Sequence, residues 1–351
     1  MLNSIFVIIG TIIGAGFASG REILTFFNVY NWYGFLGLIF SEIIIGFVIY
    51  KSFRIIINYN INTYPQFIDK IVGKSGFINT VFCNIINIFL LISFIIMVAG
   101  FSAYFSQEFN IPYIFGATLI AVLSFFTFLK SIDGIIKINS FFIPFLIFII
   151  LLLGIKNFNC FSSLETLTIE HNFNWFISAL LYASYNLIIV FPILIGLKKC
   201  ISNFKQAKII SICVTFILIL LAIILFFLIE FYFTEVYNLE LPTIFIATQS
   251  GNFYKYVCGF VILGAIFTTA ISSGYGFLRN FNSLNKKHYT FLAFSICLLS
   301  IALSNIGFST LLSLLYPILG ILRSISNHIY HQTLKWIQLL SALKELIALS
   351  S

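Results

Sequence analysis

Gly10-Thr11-Ile12-Ile13-Gly14-Ala15-Gly16-Phe17-Ala18-Ser19-Gly20 interrupts the first apolar segment of the chain, where an unbroken membrane helix would be expected. Four glycines and two hydroxyls make this a span built to break. In hydrocarbon an unpaired backbone N–H or C=O costs several kcal/mol, so non-helical backbone at mid-membrane depth survives only where it lines a cavity or coordinates something. Glycine lets the chain leave helical geometry and lets a ligand approach the backbone. Close helix packing through small residues is the competing reason for such a pattern. Gly14, Ala15, Gly16 and Phe17 are therefore candidate substrate-binding residues.

Outward from this stretch, composition settles the class. Hydrophobic residues make up 60% of the 351-residue chain and charged ones 9%, and apolar runs long enough to cross a ~30 Å core recur from end to end. The expected spans are 3–28 (interrupted), 33–57, 79–105, 112–129, 137–155, 174–197 (interrupted), 207–232, 254–280, 288–304 and 306–322. This is an all-α polytopic membrane protein of about ten helices. The opening Met1-Leu2-Asn3-Ser4 lacks the basic region of a cleavable signal peptide.

Basic residues fix the orientation, because Lys and Arg collect on the cytoplasmic side. With the N-terminus inside, the inner loops hold Lys51, Arg54, Lys198, Lys199, Arg279 and Arg323 among others, against Arg21, Lys156 and Lys255 outside. The net charge of +8 thus reflects topology and does not argue for nucleic acid. Six scattered cysteines without a C-x-x-C pair argue against a disulfide framework. No soluble-enzyme motif and no intramembrane catalytic constellation occurs, so an enzyme is not expected.

The first five spans start inside and the next five start outside, which is inverted-repeat topology, with repeat one at about 1–155 and repeat two at about 174–322. The sixth span carries Leu181-Tyr182-Ala183-Ser184-Tyr185-Asn186-Leu187, a polar interruption placed like the glycine break of the first. Interrupted segments at matching places of two halves point to a transporter site at the bilayer midplane. Ala183, Ser184, Tyr185 and Asn186 therefore join the candidate substrate residues. The positive ends of the expected half-helices would favour a carboxylate, so the cargo is read as a small amino acid or amine.

The opening motif, followed by Arg21 and Glu22, together with Tyr182-Ala-Ser-Tyr-Asn-Leu, resembles the YkvI group of bacterial membrane proteins, which is similar to the amino acid–polyamine–organocation superfamily with its LeuT-type fold. The resemblance spans about residues 1–320 and implies five-plus-five inverted repeats with broken first and sixth helices, in the plasma membrane of a bacterium. It also implies a sodium site. The ligands carried over are the carbonyls of Gly10 and Ile13, the carbonyl of Thr269, and the hydroxyls of Ser272 and Ser273. Helical spacing lets Thr269, Ser272 and Ser273 converge, although membrane Ser and Thr also bond their own i−4 carbonyls. Phe17 stands where a second sodium would need a polar side chain, so one ion is expected.

Glu42 lies deep in the apolar run Ile39-Phe40-Ser41-Glu42-Ile43-Ile44-Ile45 and must be partnered or protonated. The resemblance gives it a supporting role through N–H groups freed at the broken helices. Arg21 is read as a candidate outer gate. Residues 323–351 read as an amphipathic helix on the cytoplasmic face, appended to a single transmembrane domain at 1–322. The expected function is Na+-coupled alternating-access transport, with no cofactor beyond the coupling ion. The alternatives are a receptor that keeps the same pocket and H+ coupling through Glu42.

Overall fold

The computed structural model describes residues 1–72, 76–129, 132–158, 174–201, 203–279, 281, 285–308 and 310–311. Most of the expected tenth span and the whole tail at 323–351 lie outside them. No strand occurs among the described residues. The first span is α1 (Leu2–Ile12), α2 (Ala15–Ala18) and α3 (Arg21–Phe26), and α4 (Asn31–Asn58) follows a short 3-10 turn. Next come α5 (Tyr64–Val72), α6 (Gly76–Phe109), α7 (Tyr113–Phe128), α8 (Ile132–Lys156) and α9 (Asn174–Leu197). The rest is α10 (Phe204–Phe231), α11 (Phe233–Val236), α12 (Pro242–Ser250), α13 (Asn252–Arg279) and α14 (Lys286–Ser304). Arg21–Asn58, Cys83–Phe109, Asn174–Cys200, Phe204–Phe231, Asn252–Arg279 and Lys287–Ser304 are long and apolar enough to cross a membrane. The chain is a multi-pass membrane protein.

α1 is apolar on all sides, and its residues from Val7 to Ile12 are buried, as a central helix requires. It packs among α8, α9, α10 and α13, while α13 also packs along α6 and α4 packs on α9 and α10. Membrane-facing side chains such as Phe47, Phe126, Phe148 and Phe216 are exposed on the outer helices.

The break in the first span is where the sequence places it, but its construction differs. Ile13, not a glycine, carries the bend: its φ of −78° and ψ of 81°, with Gly14 N–H donating to Ile12 O at 2.9 Å, make an inverse γ-turn. A second interruption follows at Ser19-Gly20, where Gly20 adopts φ +79°, a conformation that favours glycine. Gly14 and Gly16 are not among the positive-φ residues. Their missing side chains serve close approach instead. A Cβ on Gly14 would meet Thr269 Cγ2 at 3.0 Å, and one on Gly16 would collide with the Glu22 carboxylate.

The expected break in the sixth span is not there. α9 runs as continuous α-helix through residues 181–187, because its polar side chains bond within the helix: Ser184 Oγ donates to Leu180 O at 2.7 Å and Asn186 Nδ2 to Tyr182 O at 3.0 Å. Back-bonding of this kind lets a polar run stay helical. The irregularity of α9 lies farther on, at Pro192, which lacks the N–H that would bond Ile188 O. The inverted-repeat expectation therefore keeps one broken helix instead of two.

Candidate functional site

Breaking α1 leaves two carbonyls without their helical partners. Gly14 N–H has gone to Ile12 O, which frees Gly10 O, and the turn leaves Ile13 O at the open edge. Buried backbone acceptors must find partners, and α13 supplies them. Thr269 Oγ1 donates to Gly10 O at 3.0 Å and lies 3.3 Å from Ile13 O, and Thr268 Oγ1 reaches Gly10 O at 3.2 Å. Ser273 Oγ donates to Thr269 O at 2.9 Å, and Ser272 Oγ donates to Thr268 O at 2.9 Å while lying 3.3 Å from Thr11 Oγ1. Gly10, Ile13 and Thr269 thus meet at one place, Ser272 touches α1 at Thr11, and the hydroxyls of Ser272 and Ser273 are bonded to carbonyls of their own helix four residues back, every one of these residues buried. Thr268 and Thr11 join them. Neither was singled out as a ligand from the sequence, although both are hydroxyl residues one position away from residues that were.

The second group lies around α2 and α3. Phe17, Ala183, Tyr185 and Asn186 are buried, and Tyr185 stacks on Phe26 with ring centroids 6.0 Å apart and reaches Phe89 of α6 at 6.5 Å. Tyr182 meets Phe26 and Phe27 at 5.5 and 5.0 Å. Tyr182, Tyr185 and Asn186 share a helix face at i, i+3 and i+4. Ser184 does not: it is half-buried and its hydroxyl is used by its own helix. Ser184→Ala is accordingly expected to shift stability by no more than about 0.5 kcal/mol and to leave ligand binding unchanged, as thermal unfolding of the purified protein can check.

Glu42 is buried, and its partner is the Tyr182 hydroxyl, 3.4 Å from Oε1, rather than backbone N–H groups. α9 is unbroken and has no free N–H groups to offer at that level. The residue the sequence reading passed over is Glu22. Its side chain, 2% exposed, folds back over Gly16 and lies beside the Tyr185 hydroxyl, as Glu42 lies beside that of Tyr182. Its place in the run Arg21-Glu22 looks like an interfacial ion pair, and only the fold shows that the two point apart. Because α9 is continuous and α2 and α3 are only 4 and 6 residues long, the helix-end attraction for a carboxylate has no support here.

Both ends of the molecule are latched. At one, Arg21 Nη1 donates to Tyr237 O and Leu239 O at 2.6 and 3.1 Å, Thr243 N–H donates to Ser19 O at 2.8 Å, and Lys255 pairs with Glu108 at 2.8 Å. Beside them is a cavity of about 440 Å3 lined by Glu108, Tyr113, Glu240 and Thr248. At the other, Lys198 Nζ donates to Asn60 and Asn62 side chains at 2.5 and 2.7 Å, and Arg279 reaches Pro192 O and Asn62 O. A cavity of about 280 Å3 adjoins it, lined by Asn60, Gln66, Asp69 and Lys70. Arg21 is placed as a strap between the broken span and the α11–α12 connection.

No family model matches the chain. It is 25% identical over 322 residues to the membrane protein YkvI of Bacillus subtilis (strain 168), covering 90% of each chain. It is 24% identical over 317 residues to YyaD of the same organism, covering 90% of this chain and 91% of that one. Among solved structures, a Na+-coupled sialic acid symporter in a substrate-bound outward-open state matches with a TM-score of 0.65 at 13% identity, covering 92% of this chain and 76% of the symporter. Neither the relatives nor the symporter is described as an enzyme. The chain is similar to the YkvI and YyaD membrane proteins over nine-tenths of its length, and it shares the LeuT-type fold of the symporter.

Proposed function

We propose that this protein is a secondary transporter that carries Na+ together with a small organic solute, an amino acid or an amine, by alternating access across a bacterial plasma membrane, with its N-terminus in the cytoplasm. The observation that carries this reading is the convergence of the Gly10 and Ile13 carbonyls with the Thr269 hydroxyl at a break in α1, with Ser272 and Ser273 three and four residues farther along α13. Uncharged oxygens from carbonyls and hydroxyls suit an alkali cation, and irregular backbone at membrane depth is where transporters hold their ions. Each hydroxyl donates its proton to a carbonyl and keeps its lone pairs for a cation. Arg21 on one side and Lys198 with Arg279 on the other are the latches that opening on either side must release.

Coupling follows as linkage, since an ion that binds better in the presence of solute raises solute affinity by the same factor. Purified protein is expected to unfold at a higher temperature in NaCl than in equimolar KCl, and Ser272→Ala or Ser273→Ala to shrink that difference by removing one oxygen each while the carbonyls remain. Equal midpoints in the two salts for the unmodified protein would sink the sodium reading. Uptake into proteoliposomes driven by a Na+ gradient separates a transporter from a receptor, which binds without accumulation.

A further inference from the structure

Between α2–α3, α4, α6 and α9 the protein collects more acceptor oxygens than the Tyr182 and Tyr185 hydroxyls can serve. Glu22 Oε2, Glu42 Oε2, Tyr185 Oη and Asn186 Oδ1 are all buried with no hydrogen-bond partner. Among the described residues neither glutamate forms an ion pair, and the one strong cation nearby in sequence, Arg21, is spent on the Tyr237 and Leu239 carbonyls. The Tyr185 hydroxyl lies beside Glu22 and the Tyr182 hydroxyl on Glu42, and the two tyrosine rings are 5.6 Å apart, which brings the two carboxyl groups to one place. The walls are aromatic: Phe26, Phe27, Tyr182 and Tyr185 pack edge to face or stacked at 5.0–6.0 Å, and Phe89 closes the α6 side at 6.5 Å. Gly16 is a glycine because the Glu22 carboxyl lies against it.

A buried carboxylate whose oxygens lack partners is expensive unless something positive meets it. We propose that the Glu22–Glu42 pair is the recognition subsite for the protonated amino group of the cargo, and that the transported class is small organic ammonium ions instead of carboxylates. This rests on the transporter reading and names its solute. An –NH3+ group carries three donors and no acceptor, the complement of the acceptor oxygens Glu22 Oε2, Glu42 Oε2 and Asn186 Oδ1. Aromatic faces add cation–π attraction and cover the alkyl stem, which a bare alkali ion would leave without purpose. The oxygens offered to sodium at Gly10 and Thr269 are uncharged, so the two cations are assigned to chemically different places. An anionic solute would meet like charge here, which excludes it more firmly than a missing contact would.

The test uses the full chain, purified in detergent with NaCl held constant, and titrates methyl-, ethyl- and butylammonium against acetate, propionate and butyrate by calorimetry. The expected result is heat and thermal stabilisation from at least one ammonium ion and none from the carboxylates. Glu22→Gln is expected to weaken that binding about tenfold or more, as loss of one member of a buried charge contact does. Tyr185→Phe, which keeps the ring and the packing, is expected to weaken it about threefold and stands in if Glu22→Gln does not fold. The difference in unfolding midpoint between NaCl and KCl, read on the same samples, is expected to persist in both variants. No ammonium binding, equal binding of propionate, or unchanged affinity in Glu22→Gln and Tyr185→Phe would each overturn the proposal. So would stabilisation by acid alone with no further effect of amine, which assigns the pair to a proton, or a sodium effect that disappears in Glu22→Gln, which assigns it to the metal. If amines bind and the NaCl–KCl difference is absent, the ammonium subsite stands and the sodium coupling falls.

Discussion

Thr269→Val is expected to abolish the sodium effect and to destabilise the protein at once. The substitution keeps the β-branched shape, yet removes the single hydroxyl that serves both Gly10 O and Ile13 O. Leaving buried acceptors short of a donor costs about 1–3 kcal/mol, and Thr268, which already bonds Ala265 O at 2.9 Å, covers only the Gly10 carbonyl. The Thr269 carbonyl itself is untouched, so a variant that unfolds earlier but still gains stability from NaCl over KCl would show that the hydroxyl matters to the break and not to the ion. Loss of the salt difference together with the lower midpoint is the expected outcome. A thermal series in the two salts reads both from one preparation.

Gly16→Ala is expected to have a large effect for a single methyl group. The added Cβ would occupy the space of the Glu22 carboxyl, whose side chain is pinned between α2–α3 and the α9 tyrosines, so Glu22 must leave its position or the two helices must separate. Overpacking costs typically about 1–3 kcal/mol, and here it also displaces a charged group inside the membrane. Stability in detergent should fall by at least that amount, and cargo binding should be lost with it. Gly14→Ala is the milder comparison, because its Cβ would stand 3.0 Å from Thr269 Cγ2 and 3.2 Å from its hydroxyl. A shift of a few tenths of an ångström relieves that contact. If Gly16→Ala unfolds and binds like the unmodified protein, Glu22 is mobile there and the carboxylate cluster loses its geometric basis. If Gly14→Ala proves the worse of the two, close packing of α1 on α13 dominates the role of these glycines.

The positions of the long helices among the described residues and of the first break were legible from the chain because each rests on local accounting. An apolar run of sufficient length has one low-energy home, and a glycine-rich stretch inside it has few reasons to exist. The same local reasoning misjudged the sixth span. Tyr182 to Asn186 is as polar as a break would be, but Ser184 and Asn186 return their hydrogen bonds to carbonyls four residues back, an option that polarity alone does not distinguish from unwinding. At the first break the glycines suggested the bend, and Ile13 makes it.

By itself, then, the sequence determined the membrane class, the long helices among the described residues, the interruption between Gly10 and Gly20, and a hydroxyl-rich stretch at Thr268–Ser273. Tertiary structure alone decided which hydroxyl meets which freed carbonyl, that Arg21 turns outward to the Tyr237 and Leu239 carbonyls, and that its neighbour Glu22 turns inward to lie over Gly16 near Glu42. The reason is geometric. Consecutive residues on a helix point about 100° apart, so two adjacent charges written side by side can serve opposite surroundings. Which of them is buried depends on helices more than a hundred residues away in the chain.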